Sequence, residues 1–486
     1  MTMIALKPSD SGDSFATLRI ATERLADALQ PLMQADLLEL ERSCRPHLEV
    51  LIEMYVETQK QGFQYLGFEY EEQLWITVRN YLKQLTKAYT TISQQLTPDM
   101  ASIISGKVLQ QSMDSLALYA KWHYLRYQLL PARFWLQMHA VYLQAEQTKT
   151  NDEGAGNACS RYLQALMLDT LNHSNMLKSE IAQVDEWLSS CCQDLSLDKD
   201  CDENRHQYFV DLKVDHSARR IRDFTTKPSR RYWHVDSLAD SLEVMRTQLE
   251  SDILPPIFVE GTAIPNAIHL VELLEAEWSQ KSYKRQRRTD ERENVSKLAR
   301  AVNGIHGVCQ HVKNLAFSTM SPLPARAHDT ENGWIIENES KFGFGALVNA
   351  GSNLWLKPGC LIALDYELNP DMTVVGVVRS IQQQPDRDCY VGIEVLSHTP
   401  IYVRMQQMEE DMSASGSAEP FPALYLGKDD ERELPATLVM PSFEYVPGGS
   451  YALKTQQFSS HVRLGEVLEQ QGEWLRVVAD VGAEKG

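Results

Sequence analysis

The residues with the clearest chemical potential lie between positions 284 and 343. Lys284, Arg285, Arg287, Arg288, Arg292, Lys297 and Arg300 gather within residues 284–300, against Asp290, Glu291 and Glu293. Seven basic and three acidic residues give this stretch a local balance of +4. It sits in a chain of 486 residues with 47 Lys and Arg, 66 Asp and Glu, and a net charge of −19. So acidic a chain repels a long phosphate backbone and is not a general DNA or RNA coat. A small anionic ligand needs only a local patch that stands out from that background. Within the patch, Arg288 and Arg292 spell RxxxR. Farther on, Asn338-Glu-Ser340-Lys-Phe-Gly343 spells [D/N]xSxxG. A guanidinium fork pairs with a phosphate through two parallel hydrogen bonds, which a lysine cannot do.

These motifs need elements to hold them. Residues from about 15 to 200 read as helix, with apolar stripes over 25–54, 72–96, 108–130 and 134–147. Leu163, Leu166, Met167 and Leu171 fall on one helical face, as do Leu177, Ile181, Val184 and Leu188. Asn172-His-Ser-Asn175 between them is a turn, giving an antiparallel helical hairpin. Residues 151–156 read as a linker-like loop. The Met, Trp and Tyr in the stripes read as interhelical core. Residues 203–283 are mixed, with a strand over 208–214 and helices over 237–251 and 267–280. From about 295 the texture turns to short β-branched runs at 298–302, 334–338, 344–348, 360–364, 374–381 and 390–396. Gly, Pro and Asn divide them, as in a small antiparallel barrel. A helix over 305–315 interrupts the first two. Residues 406–419 read as a linker, and strands resume at 423–426, 437–440, 451–454 and 474–478.

The expected organisation is α+β and multidomain. A helical region (1–202) and a mixed connecting region (203–283) precede a small barrel with its arginine motif (284–405). A linker (406–419) and a second small β module (420–486) follow. The second motif falls where one strand turns into the next. That setting, the order of the motifs and the local basic charge together resemble the PilZ family, small bacterial β-barrels that bind cyclic di-GMP. The resemblance spans about 285–405, and includes the strands around 374–379 and 390–396. More loosely, the helical region and residues 208–278 are similar to bacterial proteins that carry a helical N-terminal region before an atypical PilZ domain. Arg292 and Asn338 are 46 positions apart, more than the usual family interval. The 305–315 helix and the 321–326 loop fill the excess.

The resemblance implies a cyclic di-GMP receptor with no further cofactor and no metal. Guanine O6 and N7 are adjacent acceptors that one guanidinium can bridge, and the same fork fits a phosphate. Arg288 and Arg292 are assigned these roles, with Arg287 as an extra cation for a second, stacked ligand. Asn338 and Ser340 meet a base edge or phosphate oxygen. Gly343 supplies a turn conformation closed to residues with a Cβ, and lets the ligand approach the backbone. The ordinary reading of such a charge run is a solvated helix end, and of Asn and Ser a simple strand-end turn.

No GxSxG elbow, HExxH pair, Walker A loop or kinase signature occurs, so an enzyme is not expected. The alternative is a non-enzymatic adaptor whose barrel binds no cyclic di-GMP and whose helical half contacts a protein partner. The basic cluster at 219–231 reads as surface, with a contact to the barrel as the other option. His123, His139, His173, His234 and His311 show no ligand spacing and read as core or surface histidines. Eight cysteines include no CxxC pair, and the vicinal Cys191–Cys192 reads as packing at a helix end rather than as a redox switch. Residues 1–14 lack the apolar core of a signal peptide, and no run suits a spanning helix. The expectation is a cytoplasmic protein, without membrane insertion, bound to cyclic di-GMP and to a protein partner through its helical region.

Overall fold

The computed structural model describes residues 8–27, 34–61, 68–95, 103–148, 153–193, 195–222, 224–258, 262–278, 292–317, 333–366, 369–384, 388–408, 419–455 and 459–481. The chain divides into two units, Met1–Arg285 and Gln286–Gly486.

The first unit opens with α1 (Pro8–Ala26), α2 (Gln34–Gln61), α3 (Phe68–Gln95), α4 (Ile103–Tyr124), α5 (Phe134–Thr148), α6 (Glu153–Thr170) and α7 (Lys178–Cys191). The stripes read from sequence face inward. On α3, Leu74, Val78, Tyr81, Leu85, Tyr89 and Ile92 are buried at three- and four-residue spacing. The expected 25–54 helix is two helices, α1 ending at Ala26 and α2 starting at Gln34. The expected 151–156 loop is a second correction, because α6 already begins at Glu153. A Cβ on Gly154 would stand 2.7 Å from the Gly106 backbone of α4. This glycine therefore permits close approach of two helices, and does not mark a turn.

Next come β1 (Tyr208–Asp211), β2 (Arg219–Arg220), β3 (Arg230–Trp233), α8 (Asp236–Glu250) and α9 (Ile264–Trp278), with the strands in the order β2-β1-β3. This region is not a separate connecting segment. Tyr208, Trp233, Leu242, Leu270 and Trp278 belong to the same buried cluster as the helices before them. Two indoles tie it down: Trp233 donates to Met167 Sδ at 3.1 Å and Trp278 to Thr170 Oγ1 at 2.8 Å.

The 219–231 basic cluster divides: Arg219, Arg222 and Lys227 are exposed, as expected of a surface cluster, whereas Arg231 is built into this unit. Arg231 is 6% exposed and forks onto Glu146 of α5, Nε to Oε1 and Nη2 to Oε2, both at 2.7 Å. Burial alone would raise the Glu146 pKa. Hydrogen bonds from Arg231 and Tyr142, and the Arg231 charge, outweigh it and hold the carboxyl down to about 2. Arg230 lies over the Phe209 ring, 4.3 Å from its centroid, and Arg220 over Tyr208 at 5.1 Å.

The second unit holds two closed six-stranded barrels. The first comprises β4 (Glu293–Asn303), α10 (Ile305–Phe317), β5 (Trp334–Ser340), β6 (Gly343–Asn349), β7 (Leu361–Tyr366), β8 (Asn369–Gln383) and β9 (Asp388–Ser397). Its strand order is β4-β5-β6-β9-β8-β7. The second comprises β10 (Ile401–Gln407), β11 (Phe421–Leu426), β12 (Thr437–Pro441), β13 (Ser450–Lys454), β14 (Ser459–Gln470) and β15 (Trp474–Val481), in the order β10-β11-β12-β15-β14-β13. Two strands depart from expectation. β10 pairs with β11 and β13, so the boundary between barrels falls before Ile401 and not at 405. β14 is absent from the strands expected from sequence: its outward residues are polar, while Ser460, Val462 and Leu464 alternate inward.

The helix expected as a mere elaboration, α10, has a structural task. Ile305, Val308, Cys309 and Val312 fall at i, i+3, i+4 and i+7. They pack with Leu361, Ala363, Val375 and Val377 of the first barrel, and with Leu424, Leu426, Val439 and Trp474 of the second. This explains the uninterrupted apolar run of β7. Leu361 and Ala363 face α10, while Ile362 and Leu364 are buried on the opposite face. On the polar side of α10, His311 Nε2 meets Asp365 Oδ1 at 2.8 Å, and Thr373 donates to the same oxygen at 2.6 Å.

Candidate functional site

The [D/N]xSxxG motif is a hairpin end. β5 finishes on Ser340, β6 starts on Gly343, and the two are register partners, so Lys341 and Phe342 alone form the turn. The Ser340 hydroxyl donates to Gly343 O at 3.3 Å and closes it. On the other side of β5, Asn294 of β4 is the register partner of Asn338. Arg292 immediately precedes β4. Its Nη1 donates to Asn338 Oδ1 at 2.8 Å.

The arginine motif and the turn motif thus meet, although 46 positions separate Arg292 from Asn338. In an antiparallel pair the inserted residues emerge at the far end. β4 runs from Glu293 away from the motif to Asn303, α10 follows, and β5 returns from Trp334. The length of the insertion does not enter the geometry at the near end. Arg287 and Arg288 lie outside the described residues. Arg292 is half-buried, and among the described residues it forms no ion pair with a carboxylate. Its guanidinium is directed at a neutral carboxamide. Lys297 adds a second cation on β4, paired with Glu339 at 2.5 Å.

The reading of Gly343 requires a correction. The glycines with left-handed backbone among the described residues are Gly304, Gly359 and Gly448. Gly343 is not among them, and the close neighbour at its backbone is a strand of the same barrel: a Cβ there would stand 2.8 Å from Ile393 O on β9. Gly345 is tighter still. Its Cβ would meet the Tyr390 phenol oxygen at 2.0 Å and the Asn338 carboxamide at 2.7 Å. Asn338 Nδ2 donates to that phenol oxygen at 2.6 Å, which leaves Oδ1 turned to Arg292. Tyr390 and Gly345 thus orient the asparagine, and neither was anticipated. Gly345 had one available signal, since it shares a face with Gly343 two positions earlier. Tyr390 had none, because its place depends on the β6–β9 register.

Gly345→Ala is expected to destabilise the second unit by about 1–3 kcal/mol, the usual cost of overpacking. Thermal unfolding of the full chain measures it, and an unchanged midpoint would mean that β6 has room to spare there.

The histidines named from sequence are packing or pairing groups. His139 Nδ1 lies 2.7 Å from the Tyr162 hydroxyl, His173 stacks on Tyr124 with centroids 3.9 Å apart, and His234 sits 3.2 Å from Asp236. His123 is buried against the edges of Trp75 and Tyr119, and burial lowers its pKa to about 4. Among the described residues no three His, Cys, Asp or Glu side chains gather as metal ligands. All eight cysteines are free, and Cys192 is buried at the end of α7. No helix of the described residues is long and apolar enough to cross a membrane.

The other end of the chain has a counterpart among known families. Residues 3–201 match the family of N-terminal domains of the cyclic-di-GMP receptor FimW. The match covers α1–α7, a little under half the chain, and stops well before the two motifs. No curated protein matches the chain. The FimW-type helical region and the arginine–asparagine site are therefore two separate observations, made on residues that do not overlap.

Proposed function

We propose that this chain is a cyclic di-GMP receptor that binds its ligand at a PilZ-like first barrel. The observation that carries the reading is the 2.8 Å contact between Arg292 and Asn338, which joins the RxxxR and [D/N]xSxxG motifs at one strand end. The FimW-type helical region supports the same ligand from independent residues. In this reading Arg288 and Arg292 grip a guanine edge and a phosphate. Asn338 and Ser340 supply polar contacts on the fixed hairpin, and Gly343 keeps β6 close to β9. Arg287 adds a cation for a second, stacked ligand.

The segment carrying Arg287 and Arg288 connects the two units in sequence. A ligand held there would form new charge-assisted bonds to that segment and alter how it presents the helical region to a protein partner. The ligand is bound and released unchanged, with no catalytic step, in the cytoplasm where such a second messenger acts.

Calorimetric titration of the full chain tests this. Heat is expected at micromolar cyclic di-GMP. No heat would favour the adaptor reading, in which the helical region acts through protein contacts alone. Turnover of the ligand during the incubation would overturn the receptor reading in favour of an enzyme.

A further inference from the structure

The second barrel touches the first at the motif turn itself. Lys341 and Phe342, the two turn residues, both meet the loop that joins β11 to β12. Lys341 forms an ion pair with Glu431, and the Arg432 guanidinium lies over the Phe342 ring, 4.7 Å from its centroid. Arg432 is fixed from both sides. Its Nε donates to Asp429 Oδ2 at 2.6 Å within its own loop, and its Nη1 donates to Val395 O at 2.8 Å on β9. Val395 in turn donates its backbone N–H to Phe342 O at 3.0 Å. The Lys341 carbonyl lies 3.2 Å from His398 Nε2.

A second set of contacts runs beside the first. Glu394 is the register partner of Gly343. Arg379 of β8 donates Nε to Glu394 at 2.8 Å, and its other two nitrogens to Glu469 of β14 at 2.5 and 2.8 Å. Burial opposes the Arg379 charge, but the bonds and charges of Glu469, then Glu394, outweigh it and raise its pKa. Arg432 Nη1 is also 3.6 Å from Glu394. Two-residue hairpin turns at a barrel rim are ordinarily free on their outer side. Here Arg432 of the second barrel lies on the turn, and beside it Arg379 ties Glu394, the partner of Gly343, to Glu469 of the second barrel.

We propose that the second barrel is a structural part of the ligand site: its 428–433 loop, through Arg432, clamps the Lys341–Phe342 turn and so positions Ser340 and Asn338. The proposal deepens the cyclic di-GMP reading and rests on it for the identity of the ligand. Its physical content is preorganisation. A turn already held in its binding geometry costs less ordering when the ligand arrives. By linkage, ligand at the turn must also strengthen the hold of the 428–433 loop to the same degree. Arg432 is a positioning residue and need not touch the ligand.

Hydrogen exchange and calorimetry on the full chain test the clamp separately from the ligand. In the unliganded protein, Arg432→Gln is expected to raise amide exchange across residues 339–346 by about tenfold, the effect of losing roughly 1.4 kcal/mol of local stability. Glu469→Gln, which loosens Arg379 without touching the loop, should move the same amides in the same direction. It serves if Arg432→Gln does not fold. Cyclic di-GMP affinity should fall about tenfold in both, with Arg432→Lys in between because it keeps the cation but not the fork. Wild-type exchange across 339–346 in both variants would overturn the clamp. Faster exchange with unchanged affinity would overturn the positioning role. Failure of the unaltered chain to bind cyclic di-GMP would sink the functional reading alone, and exchange would still decide whether the clamp exists.

Discussion

Arg292→Ala is expected to weaken cyclic di-GMP binding by about a hundredfold or more while leaving the unfolding transition in place. Hydrogen bonds to charged groups are worth about 1.5–3 kcal/mol each. Loss of a two-pronged contact therefore reaches about two decades at roughly 1.4 kcal/mol per decade. In the unliganded protein Arg292 is half-buried and spends one bond on the neutral Asn338 side chain. Among the described residues its removal strands no carboxylate, so the fold has little to lose. Arg292→Lys keeps the charge without the fork, and should recover only part of the affinity. Calorimetric titration of the variant decides the matter, with circular dichroism as the control for folding. Wild-type affinity in Arg292→Ala would remove this residue from the site.

The largest expected effect on stability lies in the other unit. Arg231→Met should destabilise it by about 3 kcal/mol, the low end for a broken buried pair, because it removes the two-pronged partner of Glu146 and leaves that carboxylate only the Tyr142 hydroxyl and Lys199, 3.7 Å away. Replacing both residues, as Arg231→Met with Glu146→Gln, should recover most of that loss. The effect depends on pH with a definite sign. Glu146 has a folded pKa of about 2 against an ordinary value of 4.5. Its contribution is complete above pH 4.5 and is lost as pH falls from there toward 2. The gap between wild type and variant should therefore be widest near neutrality and narrow steadily in acid. Denaturant unfolding followed by tryptophan fluorescence reads it, since Trp233 and Trp278 report from the same core. A gap independent of pH would mean that the pair does not carry the effect.

The sequence made the architecture legible where its signals were local. Apolar spacing marked the helices of the first unit, and the Ser340–Gly343 turn carried its own residue chemistry in four positions. The long-range partners were not legible. Arg231 looks like any surface arginine until Glu146, 85 positions earlier, is seen beneath it. Tyr390 and Gly345 depend on strand register, and Arg432 reaches the turn from another barrel. The 46 positions between the motifs exceed the usual family interval, and strand pairing accommodates them, because the gap opens only at the end of the hairpin away from the motifs. β14 shows the converse error: polar outward residues hid a strand whose inward side is regular.

The wedge formed by α10 has a practical consequence for anyone dissecting this chain. A barrel normally keeps its apolar residues inside and offers water a polar wall. Here Leu361, Ala363, Val375 and Val377 lie on the outer wall, and stay dry because α10 and the second barrel cover them. A polypeptide ended near residue 400 would keep every motif residue of the site, yet would strip part of that cover and expose a contiguous greasy face. Such faces drive self-association. Failure of an isolated first barrel to bind ligand would then report aggregation rather than chemistry, and the intact chain is the proper object on which to weigh this site.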